Sequence, residues 1–282
     1  MTDLLEPFQY EFFRNGLAVA TLAGALCGMV GVYVVLKGMS YIGHGLSHAI
    51  FGGFAASSLL GVSYVLGAGV WGLASALAIS SVTRRRSIGS DAAIGVITTA
   101  SFAIGLILAD VFRGPRQSFE AALFGSVLGV GPEDVWAMLG ITVLAAAVIF
   151  FGYRRLLFAT FDPEVADVSG VRTARVDALL MLVLALSILA TMQVVGVTLL
   201  AATLVIPATV ARMLTNSFHR MLFIATGLGA LCGFTGMILS YHLDWKTGPT
   251  IVLVGTVLFA LAFLVTGPRG LRRTATVDAH LA

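Results

Sequence analysis

Two histidines four residues apart, His44 and His48, are the residues of this 282-residue chain whose type and spacing most clearly could do chemistry. On a helix, positions i and i+4 project from one face a turn apart, so both imidazoles would point the same way. Neutral imidazole is the commonest metal ligand, and near neutral pH it also carries protons. The surrounding segment, KGMSYIGHGLSHAIFGGFAAS, brings Gly43, Gly45, Gly52 and Gly53 close by and leaves slender backbone for another helix or a cavity. If a membrane span begins near Ser40, a rise of about 1.5 Å per residue puts His48 roughly 12 Å in, close to the midplane of a hydrocarbon core about 30 Å thick. Ionisable groups at that depth are costly and usually face a protein or water-filled interior, which makes them functional candidates. Two readings stand. Each ring hydrogen-bonds a neighbouring carbonyl, or the two hold a cation whose other ligands come from elsewhere, such as a second copy of the chain across a two-fold axis.

A second polar cluster, SYHLDWKTGPT, carries His242, Asp244 and Lys246 at the expected outer end of a span. An imidazole and a carboxylate there could receive a cation, or they are ordinary interfacial residues. The two cysteines, Cys27 and Cys232, lie in apolar runs far apart and have neither metal-ligand spacing nor a disulfide pattern, so they read as small packing residues. A third segment, LLFATFDPEVADVSGVRTA over about 156–174, contains a helix start at Asp162, Pro163 and Glu164. It offers a capping side chain, a proline at the first helical position and an acid at the positive end of the dipole. The helix would last about two turns, to Val165, Val168 and Gly170. It is either a stray turn in a solvated loop or a short helix offered to a cytoplasmic partner.

These residues need elements to hold them, and the composition says which kind. Hydrophobic residues make up 58% of the chain and charged residues 11%, and mean hydropathy is +0.98. A soluble domain runs nearer a quarter charged, so the chain reads as all-α, a polytopic transmembrane helical bundle. The 32 glycines agree, because small residues let membrane helices approach closely. Apolar runs place spans at about 15–36, 40–61, 65–83, 91–112, 132–153, 176–191, 193–213, 219–241 and 249–267. The sixth and seventh are joined so tightly that the count is eight or nine. The stretch 118–130 is apolar but too short to cross. Pro207 lies inside the seventh span, as a packing kink or as part of something that moves. The N-terminus lacks the features of a signal peptide and reads as an interfacial lead-in.

With Arg84–Arg86 cytoplasmic, alternation puts thirteen Lys/Arg inside, among them Lys37, Arg154, Arg155, Arg172, Arg175, Arg212 and Arg220. Four remain outside: Arg14, Arg113, Arg116 and Lys246. That is the asymmetry of the positive-inside rule, with an exterior N-terminus. The organisation is a single transmembrane domain over 1–270 and a cytoplasmic tail over 271–282. The net charge of +3 gives no reason to expect nucleic acid. No G-x-x-x-x-G-K-[ST] phosphate loop, no H-E-x-x-H and no row of arginines within a span is present, which argues against a P-loop ATPase, that class of zinc protease and a voltage sensor. A secondary transporter or channel relaying protons through the histidines is an open alternative. A membrane enzyme is not favoured, for no nucleophile or acid–base pair stands beside them.

Nearly the whole chain resembles the permease subunits of bacterial zinc/manganese/iron ABC importers, the ABC-3 family. The likeness lies in 38–53 with S-H-A at Ser47–Ala49, in FDPEVA over Phe161–Ala166, in VGVTLLAATLVIPATVA around Pro207, and in LSYHLDWKTGPTIVLVGT over Leu239–Thr256. It implies a multi-pass protein of the bacterial cytoplasmic (inner) membrane that moves a divalent ion, Zn²⁺ or Mn²⁺ or iron, with no permanently bound cofactor. It also implies three protein partners: a second permease chain forming a homodimer, a cytoplasmic ATP-binding subunit, and an extracytoplasmic metal-binding protein. The segment with Phe161, Asp162, Pro163, Glu164 and Val165 is similar to the family's ATPase-coupling helix, and the 38–53 motif to the one lining its metal path. His48 matches the family's histidine. His44 departs from it, standing where an aspartate is common, and imidazole in place of a hard carboxylate leans toward zinc over manganese. His44 and His48, with His242 and Asp244 nearer the entrance, are thus the metal candidates.

Overall fold

The computed structural model describes residues 6–60, 63–83, 90–111, 125, 127 and 129–278. Arg84–Arg86, Arg113, Arg116 and most of 118–130 lie outside the described residues. Among the described residues the chain is helical and has no strand. A short 3₁₀ turn, Glu6–Gln9, precedes α1 (Glu11–Leu36), α2 (Ile42–Leu60), α3 (Tyr64–Thr83) and α4 (Ser90–Val111). Then follow α5 (Pro132–Phe161), α6 (Pro163–Val168), α7 (Thr173–Val195), α8 (Leu200–Leu214), α9 (Phe218–Leu243) and α10 (Thr247–Asp278). Each of the nine apolar runs coincides with one of these helices. Among the described residues six segments are long and apolar enough to cross a bilayer: Glu11–Leu36, Val65–Thr83, Pro132–Phe161, Thr173–Met192, Phe218–Leu243 and Thr247–Thr266.

Helix α1 is the mast of the bundle. It is buried along most of its length and packs on α5, α7, α8 and, most extensively, α9. The α1–α9 contact is a small-residue seam, with Ala20, Gly24 and Gly28 against Gly233, Gly229 and Ala225. A Cβ on Gly24 would fall on the Gly229 carbonyl oxygen, and a Cβ on Gly229 on the Gly24 carbonyl oxygen. Only glycine lets the two backbones come this close. Helices α2, α3 and α4 form a second layer, joined to the first through contacts of α2 and α3 with α7 and of α2 with α8. Large apolar side chains point outward instead, including Trp136, Phe150 and Phe151 of α5 and Leu261, Phe263 and Leu264 of α10. Their solvent is the hydrocarbon of the membrane. The protein is a multi-pass membrane protein.

Two local differences from the sequence expectation have plain causes. The segment 156–174 is mostly not a loop: α5 runs on to Phe161, because a helix leaving the membrane into water has no reason to stop at Arg154–Arg155. The short helix does form as α6, with the Asp162 carboxylate accepting the Val165 N–H at 3.0 Å and Pro163 in its first turn. The sixth and seventh spans separate cleanly, but at Gly196–Leu199 rather than at residue 192. Gly196 has φ 86° and ψ 150°, a conformation essentially reserved for glycine, and it ends α7 within the protein. Gly196→Ala is expected to cost about 2 kcal/mol, read as a lower thermal midpoint of the purified protein in detergent. An unchanged midpoint would mean that the break does not depend on this conformation.

Candidate functional site

The bundle has a basic end and an opposite end, and contacts rather than charge identify them. Lys37, at the end of α1, reaches Ala159 of α5 and Asp177 of α7. The ring of Phe218, opening α9, touches Tyr33, Tyr153 and Phe161. All of these lie at one end, together with α6. At the other end Phe13 stacks edge-on with Tyr241, so α9 finishes where α1 begins.

Helix α2 starts inside the protein. Gly43 lies against Leu204 and Ala201 of α8, and Gly31 of α1 lies against Leu204 as well. Gly43 is therefore level with Gly31, about 9 Å along α1 from Lys37. By the same rise His48 is roughly 15 Å along the bundle from the basic end. The glycines around it turn out to admit helices. Gly45 and Gly52 face α4, at Thr98 and at Ser101–Phe102, Gly53 faces Trp71 of α3, and Gly43 faces α8. His44 and His48 remain partly exposed in the single chain, with the His48 ring at the edge of the α4 contact.

The two imidazoles are neighbours here, tilted against each other. Their centroids are 4.3 Å apart at an interplanar angle of 48°, with the Tyr41 ring 5.5 Å from His44 and the Phe102 ring 5.1 Å from His48. Nδ1 of His48 lies 2.9 Å from the carbonyl oxygen of His44. A carbonyl can only accept, so in the neutral ring Nδ1 carries the proton and Nε2 keeps its lone pair. A backbone hydrogen bond that fixes the tautomer in this way is the usual support of a metal-binding histidine. The same carbonyl accepts the hydroxyl of Ser47 at 2.8 Å, and that hydroxyl also lies 3.0 Å from the carbonyl oxygen of Val197. The fully buried Ser47 thus ties the histidine turn to the α7–α8 break. Sequence reasoning did not single out Ser47, Tyr41 or Phe102. Ser47 and Tyr41 lay within the motif, whereas nothing in the chain order announces Phe102.

His242 and Asp244 are not brought to this pair. They sit at the opposite end of the bundle, roughly 25 Å away along its axis at about 1.5 Å per residue. Both are exposed. Asp244 adopts φ 54°, a left-handed conformation, at the end of α9, and the Trp245 N–H returns to the Ser240 carbonyl at 3.0 Å. Asp244 therefore has a structural duty in the turn between α9 and α10, since aspartate tolerates this conformation better than most residues. The pair His44–His48 offers one or two nitrogen donors and no carboxylate, and among the described residues no group of three or more His, Cys, Asp or Glu could hold a metal ion. Such a site can touch a cation in passage, and its full shell must be completed from outside the single chain or by water.

The model of the ABC 3 transport family matches residues 9–266. The chain belongs to that family. It is 37% identical over 261 residues to a manganese transport system membrane protein, MntC, of Halalkalibacterium halodurans, covering 93% of this chain and 89% of the relative. It is 35% identical over 281 residues to the manganese import system permease protein ScaB of Streptococcus parasanguinis, covering 99% and 100%. Among solved structures, PsaBC from Streptococcus pneumoniae in complex with Fab superposes with a TM-score of 0.82 at 32% identity, covering 93% of this chain and 94% of that one. The family assignment agrees with a bundle of long apolar helices, and the α6 segment stands at the basic end of it.

Proposed function

We propose that this chain is the permease subunit of an ATP-driven importer of a divalent transition-metal ion, and that His44 and His48 are the ligands its cargo meets at mid-depth. The observation that carries the reading is the His48 ring, oriented by the His44 carbonyl at its Nδ1 and partly exposed beside His44 in the single chain. Membership of a transport family supports it, as do relatives named for manganese import. A transport site must strip water from an ion and then release it, and two nitrogen donors per chain suit a cargo better than a resident metal. A second permease copy, facing the first across the histidine side, would supply the matching pair. His242 and Asp244 are assigned to the entrance, where an extracytoplasmic metal-binding protein delivers the ion.

The chain has no ATPase site of its own in this reading, and energy enters through a separate ATP-binding subunit docked on Phe161, Asp162, Pro163, Glu164 and Val165. Phe161 and Val165 are exposed apolar residues on the basic end, which favours a protein partner there. Relatives' names favour manganese, while imidazole at position 44 favours zinc on ligand grounds. Competition between the two ions for uptake decides between them.

The test is uptake of radioactive manganese or zinc into liposomes holding the chain with its ATP-binding subunit. Uptake that requires ATP hydrolysis and survives a protonophore is the expected result. Uptake that collapses with the proton gradient and persists without ATP would instead favour a secondary transporter relaying protons through the histidines. Deleting 162–168 is expected to abolish co-purification of the ATP-binding subunit while the remaining bundle stays monodisperse. Retained co-purification would remove α6 from the docking surface.

A further inference from the structure

Lys37 occupies a junction that neither the histidines nor the docking segment explains. Its ammonium lies 2.8 Å from the Asp177 carboxylate in the second turn of α7, and 3.4 Å from the Ala159 carbonyl oxygen in the last turn of α5. The carbonyls of a last helical turn have no partner within the helix and sit at the negative end of the dipole, so a cation there is favoured twice. Only 15% of the Lys37 side chain and 26% of that of Asp177 are exposed, so water screens this pair less than an ordinary surface pair.

What the lysine joins matters more than its strength. Helix α6 hangs between α5 and α7. On the α7 side the Asp167 carboxylate accepts the Thr173 hydroxyl at 2.7 Å and the Thr173 N–H at 3.2 Å, and the Val171 N–H returns to the Ala166 carbonyl at 2.9 Å. On the α5 side Asp162 is shared between the end of one helix and the cap of the next. Lys37 bonds to both of these flanking helices at once. It is also the last residue before a tight turn into α2, in which the Met39 N–H bonds back to the Val34 carbonyl and the Ile42 N–H to the Met39 carbonyl. His44 and His48 lie in the first two turns of α2. A second link runs alongside it through rings: Phe161, next to α6, meets Phe218 at 6.2 Å, and Phe218 meets Tyr33 of α1 at 5.5 Å.

We propose that Lys37 is a positioning residue that carries movement of α6 to the histidine-bearing helix, with Asp177 as its partner. When the ATP-binding subunit displaces α6, the ends of α5 and α7 shift together. The Lys37 contact then either drags the α1–α2 turn with them or breaks to release it. In both cases the histidine turn of α2 changes its position as a consequence of events at the basic end. The inference rests on the importer reading above.

The experiment compares metal uptake with ATP hydrolysis in the reconstituted complex. Lys37→Met keeps the side-chain length and removes the charge; Asp177→Asn keeps the shape and removes the opposite charge. Each is expected to lower metal moved per ATP hydrolysed by about tenfold, within the range of ordinary coupling energies, while hydrolysis and complex yield stay near wild type. Lys37→Arg keeps the charge and can still reach Asp177, and it is expected to restore the ratio. A purely structural lysine would lower yield, hydrolysis and uptake together and leave the ratio alone, which would overturn the proposal. So would unchanged ratios in both variants with a wild-type complex that transports. A wild-type complex that hydrolyses ATP without moving metal would sink the importer reading itself, and this inference with it.

Discussion

Alanine in place of His48 is expected to lower metal uptake by about 100-fold or more without unfolding the protein, since even the outer partners of a metal-binding histidine are worth 10–100-fold. The ring's two nitrogens have different tasks. Nδ1 is committed to the His44 carbonyl at 2.9 Å, so Nε2 is the nitrogen left to act as a ligand. The competing account is that His48 is there only for that hydrogen bond and for its contact with Phe102. Glutamine separates the two, because its amide can donate to the same carbonyl and fill much of the same space but is a poor ligand for a transition metal. The metal account therefore expects His48→Gln to fail as His48→Ala does, with both variants purifying as intact complexes that hydrolyse ATP. Uptake restored by glutamine would reduce His48 to a packing and capping residue. Wild-type uptake in the alanine variant would remove it from the transport path.

How much of this could be read from the chain depends on how local each cause is. Helices whose apolar runs are bounded by charge, such as α1 and α5, were legible because a membrane span is a matter of length and composition. The cap of α6 was legible because Asp162 bonds Val165 only three residues away. The pair His44–His48 was legible for the same reason, being one turn of one helix. The break at Gly196 was harder. Residues 193–199 are as apolar as the spans on either side, and only the positive φ of one glycine shows where the chain turns. The Lys37–Asp177 pair was not legible at all: the partners are 140 residues apart, and each looks like an ordinary interfacial charge. Asp244 erred in the opposite direction. A carboxylate beside a histidine reads as chemistry in a sequence, and its left-handed backbone then supplies a structural reason for the same residue.

Gly229→Leu is expected to prevent the protein from assembling, a larger effect on the fold than any substitution at the histidines. In the α1–α9 seam each glycine's missing side chain is the space taken by the other's carbonyl oxygen, at Gly24 and Gly229 reciprocally. A leucine cannot swing out of such a contact, since its Cβ itself would overlap backbone, and backbone on both sides belongs to long helices held along their whole length. Relief requires α1 and α9 to move apart and give up the packing that holds them together where no hydrophobic drive exists between helices in lipid. The cost should exceed about 3 kcal/mol, the upper end for ordinary overpacking, because what must shift is main chain and not a flexible side chain. The same substitution two residues away supplies the control. A Cβ on Gly227 meets nothing within 4 Å, so Gly227→Leu adds only an apolar side chain on an exposed face of α9. Size-exclusion profiles and thermal midpoints in detergent should then differ sharply: aggregation or absence for Gly229→Leu, near-wild-type behaviour for Gly227→Leu. Equal tolerance of leucine at both positions would mean that α1 and α9 do not meet along this seam, and the packing of the first layer of the bundle would have to be redrawn.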